Sequence, residues 1–571
     1  MRNKRLLLAV VVSVAMGSAM SVSANAQEKK MPAKAAAKSG AKSAALPAAA
    51  QAAVDSVKDY HIRQHVKFLS HDLLEGRGTG QRGGDIAAEY IATQFALYGL
   101  KPAGDSGTYM QKVPLVGLTT LPESTFTLTP ANGAPMKLNF KDEWVAYNET
   151  LSERAAIDAD IVWVGYGITA PEYQWDDYKG VDVKGKVVLS LVAEPTSDDE
   201  KFFKGKALTY YGRWTYKYEN AARHGAAGII LIHVTDMASY GWEVVRNSNS
   251  GERAYLRDNA PKVKSAGWIQ LANAHKLAQA TGNDMTKMLA EAKSRDFKAR
   301  ALGAKLTANI VSKVRPMESN NVVAMLPGSD PKLKDQAIIY TSHYDHLGIR
   351  ADVTGDNIYN GAQDNATGCA MLLEMAHAFS HGKLKPKRSV IFAAVTAEEQ
   401  GLRGSEYLGQ HPPMPAGKIA LNLNFDSIAP IGEPEELVAM GAERADFYST
   451  VQATAQSFGL AIQPDLHPER GSYYRSDHFS FARVGVPSIS FKEGNKFVGK
   501  PAAYGEQQSA EYNTKRYHQP SDEYTDAMDF SSNVKLAKFG IALGWKAAEQ
   551  PKLVEWLAGD EFEAARKASQ R

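Results

Sequence analysis

The chain has 571 residues, 44% hydrophobic and 23% charged, enough apolar material for a large core and two or more folded units. Of its net +3, the first 26 residues carry +3 and residues 27–53 carry +4, which leaves the remainder at −4 and gives no electrostatic case for nucleic acid. A single cysteine, Cys369, excludes an intrachain disulfide and thiolate metal sites, and its setting in ATGCAMLLEMA predicts a small buried helix residue.

Residues 1–26 join a basic start to a short apolar run and small residues at Ala24 and Ala26, the pattern of a secretory signal cleaved after Ala26. The expectation is an exported protein, periplasmic or secreted, with no stable membrane insertion after cleavage. Residues 27–53, biased toward Ala and Lys without large apolar periodicity, read as a disordered tether. Residues 54–150 open the main domain. They begin with helical patterning, notably GGDIAAEYIATQFALYGL with a glycine after the last turn, and turn β-rich from about 111.

The texture changes over 151–312, where ADIVWVGYG, GKVVLSLVA and AAGIILIHV read as short strands and YKYENAARHGA as a helix, together an inserted β-rich module. Within it, Gly180, Gly185 and Lys186 have the spacing of a phosphate-binding loop. Val187 stands where a hydroxyl residue is needed and the loop runs into a strand, so that reading fails. Over 313–550 strands alternate with helices predicted at 366–380, 404–411, 444–458 and 531–548. This predicts an α/β fold, a mostly parallel mixed sheet flanked by helices, with ligands at the carboxyl ends of the strands. Residues 551–571 read as a terminal helix and charged tail.

At those strand ends stand His343 and Asp345 in SHYDHLG, the pair Glu398 and Glu399 in TAEEQG, and Asp426 in LNFDSI. Asp364 in GAQDNATG and His518 in RYHQPSDEY follow in loops. Two adjacent buried glutamates repel each other and lose hydration, so they require cations. Imidazoles mixed with carboxylates suit zinc and related divalent ions, and the pattern predicts a metal centre. Asp345, two residues after His343, is expected on the same face, where its carboxylate would fix the imidazole tautomer. Adjacent residues of a strand point to opposite sides, so Glu399 is expected to turn to a metal while Glu398 faces the attacking water.

These segments, in this order, resemble the M28 family of co-catalytic zinc peptidases, chiefly aminopeptidases, of the zinc-peptidase, phosphorylase/hydrolase-like fold. The resemblance implies two Zn2+, with His343 binding one, Asp364 bridging both, Glu399 and Asp426 binding one each, and His518 completing the second; whether the metals are zinc, cobalt or manganese stays open. It implies peptide substrates, with N-terminal residues removed through a metal-bridging hydroxide. Glu398 would be the general base and Tyr517 would support the oxyanion. The inserted module resembles a protease-associated domain on WDDYKGVDVKGKVVLSL and NAARHGAAGIILI. A carboxypeptidase or dipeptidase shares all five ligands, and a receptor-like binding protein without catalysis is the reading from another class. Tyr473, Tyr474 and Arg475 are candidates to line a substrate pocket and Arg470 and Arg475 to meet either peptide terminus. His478, in the SDH turn, is read as structural, and His346, His377 and His381 as structural or surface groups. Oligomeric state and side-chain preference stay open.

Overall fold

The computed structural model describes residues 45–571, except 239, 250, 259, 351–352 and 382–383. The expected signal segment, residues 1–26, and the tether as far as residue 44 lie outside the described residues. Among the described residues no helix is long and apolar enough to cross a membrane.

The central sheet carries, side by side, the end of the strand Arg300–Leu326, then Ser389–Val395, Ala337–His343, Ile419–Phe425, Ser488–Glu493, Glu436–Met440 and Ala461–Gln463. The four from Ser389–Val395 to Ser488–Glu493 are parallel, which makes this the mostly parallel sheet predicted. Both faces are covered, so the strands are continuous apolar runs. On one face Ile338, Tyr340, Val390 and Phe392 pack under the helices Thr367–His381 and Ser531–Glu549. On the other, Ile339, Ile391, Ala393 and Val395 meet Leu408 and Phe481 from the helices Arg403–Gln410 and His478–Arg483.

Two boundaries differ from the expectation. Residues 48–53, assigned to the tether, belong to the helix Ala48–Ser56, whose Ala50, Ala53 and Val54 are buried in the main core. The alanine bias that reads as low complexity is here helix propensity with a small-residue packing face. The inserted module also starts earlier than 151. Its sheet runs Met136–Lys137, Thr125–Pro130, the first half of Arg300–Leu326, Arg154–Trp163, Val187–Leu191, Gly228–His233, Ser265–Gln270 and Trp144–Tyr147. It closes over a core of its own that includes Phe126, Trp144, Trp163 and Ile230. The C-terminal residues are docked, with the buried Arg566 donating to the carbonyls of Ile419 and Val554.

The strand Arg300–Leu326 is common to both sheets. Residues 300–311 pair inside the module, 312–322 pair with Met110–Thr120, and 322–326 pair with Ser389–Val395. The module also touches the main domain elsewhere: Leu208 donates its N–H to the Pro468 carbonyl at 3.0 Å, the Tyr210 ring lies 4.9 Å from Phe479, and Arg483 pairs with Glu219 at 3.2 Å.

His478 is fully buried, its ring 4.7 Å from Tyr473, and burial drives its pKa down to about 3. The unfolded chain then takes up a proton that the folded chain refuses. Stability is full above the ordinary value near 6.5 and is lost progressively as pH falls from there toward 3. Between pH 7 and pH 5 wild type should lose about 2 kcal/mol relative to His478→Phe, measured as the difference in urea unfolding free energies, which cancels the other titrating groups. An unchanged difference would show that His478 takes up its proton equally in the folded and unfolded chains.

Candidate metal centre

Three adjacent parallel strands deliver their carboxyl ends to one place. His343 ends Ala337–His343, Asp426 follows Ile419–Phe425, and Glu398 and Glu399 follow Ser389–Val395. Asp364 lies in the tight turn Ala362–Ala366 that leads into helix Thr367–His381. Gly361 opens this turn at φ 54, where an added Cβ would lie 2.1 Å from the Asp364 carbonyl, so only glycine fits. His518, at φ 55, comes from the loop after helix Tyr504–Lys515.

The five predicted ligands are brought together. Asp364 lies between the two imidazoles, its Oδ1 3.3 Å from His343 Nε2 and its Oδ2 3.3 Å from His518 Nε2. His343 Nε2 is also 3.3 Å from Asp426 Oδ1, and His518 Nε2 is 3.1 Å from Glu399 Oε2. Two donor sets therefore share one carboxylate. Donors about 2.05 Å from a tetrahedral zinc ion lie about 3.3 Å apart, which is the spacing seen here. His343 Nδ1 faces the Asp345 main-chain oxygen at 3.1 Å, so that nitrogen carries the proton and Nε2 is free to ligate. The donor set fits two divalent ions.

The neighbourhood corrects two expectations. The Asp345 carboxylate lies 3.9 Å from His343 Nδ1 and instead accepts the Thr79 hydroxyl at 2.9 Å and the Glu398 N–H at 3.1 Å. The strand ends at His343, so strand alternation no longer governs residue 345, and the tautomer is set by its backbone. Glu398 and Glu399 likewise lie beyond the strand, in a turn entered through Ala397 at φ 55. Their divergence comes from that turn rather than from pleating.

Other groups at the centre escaped the sequence reading. His346, taken as structural or surface, is buried with Nδ1 2.7 Å from Glu399 Oε1, on the carboxylate whose other oxygen faces His518. Ser427 donates to Asp364 Oδ1 at 3.1 Å and to Asp426 Oδ1 at 2.9 Å, and Ser476 donates to Asp426 Oδ2. Asp522 accepts the N–H groups of Gln363 and Asp364 at 3.1 and 3.0 Å. Arg77, fully buried, donates to the carbonyls of Tyr344, Leu69, Asn360 and Gly361 and so ties the loop after His343 to the turn that holds Asp364. A serine or an arginine far away in sequence gives no spacing signal; His346 did, as the second histidine of HYDH.

Removing the His346 imidazole frees one oxygen of Glu399. His346→Ala should weaken zinc binding between Glu399 and His518 about 10–100-fold, with His346→Asn recovering part of the loss, measured by competitive zinc titration. Unchanged affinity in the alanine variant would mean that Glu399 is oriented without it.

Charge is arranged unevenly. Burial pushes the Glu398 carboxyl up, His343 beside it pulls down, and the nearby Glu399, Asp426 and Asp477 raise it again, to a value well above the usual carboxylate range. Burial acts on Asp364 in the same direction, but hydrogen bonds from His343 and His518 hold it well below that range. Glu398 can therefore carry a proton while Asp364 stays ionised. The Tyr517 ring stacks on His518 at 3.9 Å between centroids and is 37% exposed, at the solvent side of the centre. Cys369 donates to the His343 carbonyl at 3.1 Å and is pushed up to about 11 by burial, an inert thiol as expected. Tyr473 and Tyr474 are buried, with hydroxyls donated to the Ser488 carbonyl and to Glu561, and are packing residues. Arg470 and Arg475 are exposed.

Residues 321–539 match the family model described as Peptidase family M28. Among curated proteins, the chain is 30% identical over 215 residues to Leupeptin-inactivating enzyme 1 of Streptomyces exfoliatus, covering 37% of this chain and 44% of that one. It is 28% identical over 246 residues to a probable zinc metalloprotease of Pyrenophora teres f. teres, covering 41% and 50%. The chain thus spans about half the length of the curated relatives it matches. Among solved structures, an aminopeptidase from Aneurinibacillus sp. strain AM-1 covers 88% of this chain and 97% of its own, with a TM-score of 0.50 and 22% identity, a likeness of fold.

Proposed function

We propose that this chain is an M28-type metallopeptidase using two zinc ions to remove N-terminal residues from peptides. The observation that carries the reading is Asp364, whose two oxygens face two separate imidazole–carboxylate sets. The match of residues 321–539 and the names of the relatives support the same class. The signal-like residues 1–26 support export, and the strands around Val187–Leu191 and Gly228–His233 support a protease-associated role for the module, as a filter beside the cleft.

His343, Asp426 and one oxygen of Asp364 would hold one ion, and His518, Glu399 and the other oxygen the second. When bound, the ions supply Lewis-acid polarisation of the scissile carbonyl and an acidified water. Glu398 would accept the proton of the attacking water and deliver it to the leaving nitrogen, a task suited to a carboxyl that burial and the neighbouring carboxylates hold well above its ordinary range. Tyr517 donates its hydroxyl toward the developing oxyanion. His346 and the serines Ser427 and Ser476 keep the carboxylates aimed, so little reorganisation is needed as charge moves.

The test is one peptide offered free, N-acetylated and C-amidated to the zinc-loaded protein, with products followed by mass spectrometry. Cleavage blocked by acetylation alone is expected. Blocking by the amide alone would make it a carboxypeptidase, and no cleavage of any form, with zinc bound, would put a dipeptidase or a binding role ahead of this reading.

A further inference from the structure

A second group of metal-type donors lies away from the strand ends, between two helices. Glu374 and His377 stand three residues apart on helix Thr367–His381, a spacing that puts them on one face, and His381 follows one turn later. Opposite them, helix Asp59–Leu69 presents His61 and His65. Glu374 is only 1% exposed. Its carboxylate accepts the Lys58 N–H at 2.7 Å and faces His61 Nδ1 at 3.0 and 3.2 Å. His377 Nδ1 lies 3.9 Å from the same carboxylate and is a buried nitrogen without a hydrogen-bond partner among the described residues. One donor atom each from His61, Glu374 and His377 fall within 4.8 Å of one another.

An ion pair between protonated His61 and Glu374 would account for one contact. It would leave the His377 nitrogen unpaired in the interior, and a charged His61 ring 5.5 Å from His377, whose own ring is 4.1 Å from His381. Two imidazoles beside one buried carboxylate, with a third ring against His377, are costly as bare polar groups. A cation between them satisfies the orphan nitrogen and the carboxylate together. We propose that His61, Glu374 and His377 form a third divalent metal site, separate from the centre at the strand ends.

Two imidazoles and a carboxylate select an ion of the zinc class over magnesium or calcium. The His61–Glu374 spacing of 3.0 Å is already close to the roughly 3.3 Å between donors of a tetrahedral zinc ion, and the His377 spacing is slightly longer. The His61 side chain is 41% exposed, which gives the ion a way in and leaves a fourth position for water or for the neighbouring His381. His65 sits behind the site with Nδ1 2.8 Å from the Tyr90 hydroxyl and is already engaged. Such an ion clasps helix Asp59–Leu69 to helix Thr367–His381, whose first turn follows Asp364.

The experiment is zinc loading of the full chain, dialysis, and metal counting by mass spectrometry. Three ions per chain are expected for wild type, two for His61→Ala/His377→Ala and one for His343→Ala/His518→Ala. In the last variant zinc should still raise the melting temperature, and the rise should vanish when His61→Ala is added. His61→Ala alone, a change at a partly exposed side chain, should also lose the ion, which guards against misfolding of the double variant. Two ions in wild type and two in His61→Ala/His377→Ala would overturn the site. An unchanged count in His343→Ala/His518→Ala would instead overturn the two-ion centre proposed above, so the two failures are distinguishable.

Discussion

Glu398→Gln is expected to lower kcat by about 10²–10⁴-fold while zinc content and melting temperature stay near wild type. The amide keeps the size of the side chain and the Glu398 N–H that meets Asp345, but it cannot accept a proton. Glu398 belongs to neither donor set around Asp364, so ligation should suffer little. A pH profile separates loss of a base from simple disturbance. Because the Glu398 carboxyl is raised, wild-type activity should climb with pH as that group ionises, and this limb should be missing from the residual activity of the variant. A variant within a few-fold of wild type, or one that keeps the limb, would take the base assignment away from Glu398.

Asp364→Ala should abolish turnover and release both ions of the centre together. Every other ligand serves one set, whereas Asp364 gives one oxygen to each, so its loss breaks two sites at once. It also leaves His343 and His518 without the anion they share. His343→Ala should differ, costing chiefly the ion it shares with Asp426. Zinc titration of the two variants reads the contrast directly. If Asp364→Ala still holds one ion of the centre tightly, the carboxylate is not shared, and the two sets are independent.

The strands and helices of the main sheet were legible because burial on both faces leaves long apolar runs such as VIFAAV, and the ligands because strand ends in such sheets gather in one place. What was not legible depended on local departures from regular structure. Glu398 and Glu399 were placed on a strand because nothing in AVTAEE marks Ala397 as a left-handed position. The reading of Asp345 failed for the same reason, since alternation was extended two residues past the strand. His346 was passed over as one more histidine next to a motif, although its contact with Glu399 is among the shortest at the centre. The helix Ala48–Ser56 shows the converse: its alanines carry no pattern until the surface they pack against is known. Strands Thr125–Pro130 and Trp144–Tyr147 were assigned to the wrong unit because membership in a sheet is a matter of long-range partners, here Arg300–Leu326 and Ser265–Gln270.

That 27-residue strand works as a ruler between the module and the centre. At about 3.3 Å per residue, two residues added near 312 would displace the module by roughly 7 Å, and one residue would turn its inward side chains outward. A tolerated insertion in this stretch must therefore come in even numbers and be matched in Met110–Thr120, its partner over residues 312–322. The offset of the module from the strand ends that carry His343, Glu399 and Asp426 is then a property of chain length, adjustable by lengthening both arms in step without touching any of those residues.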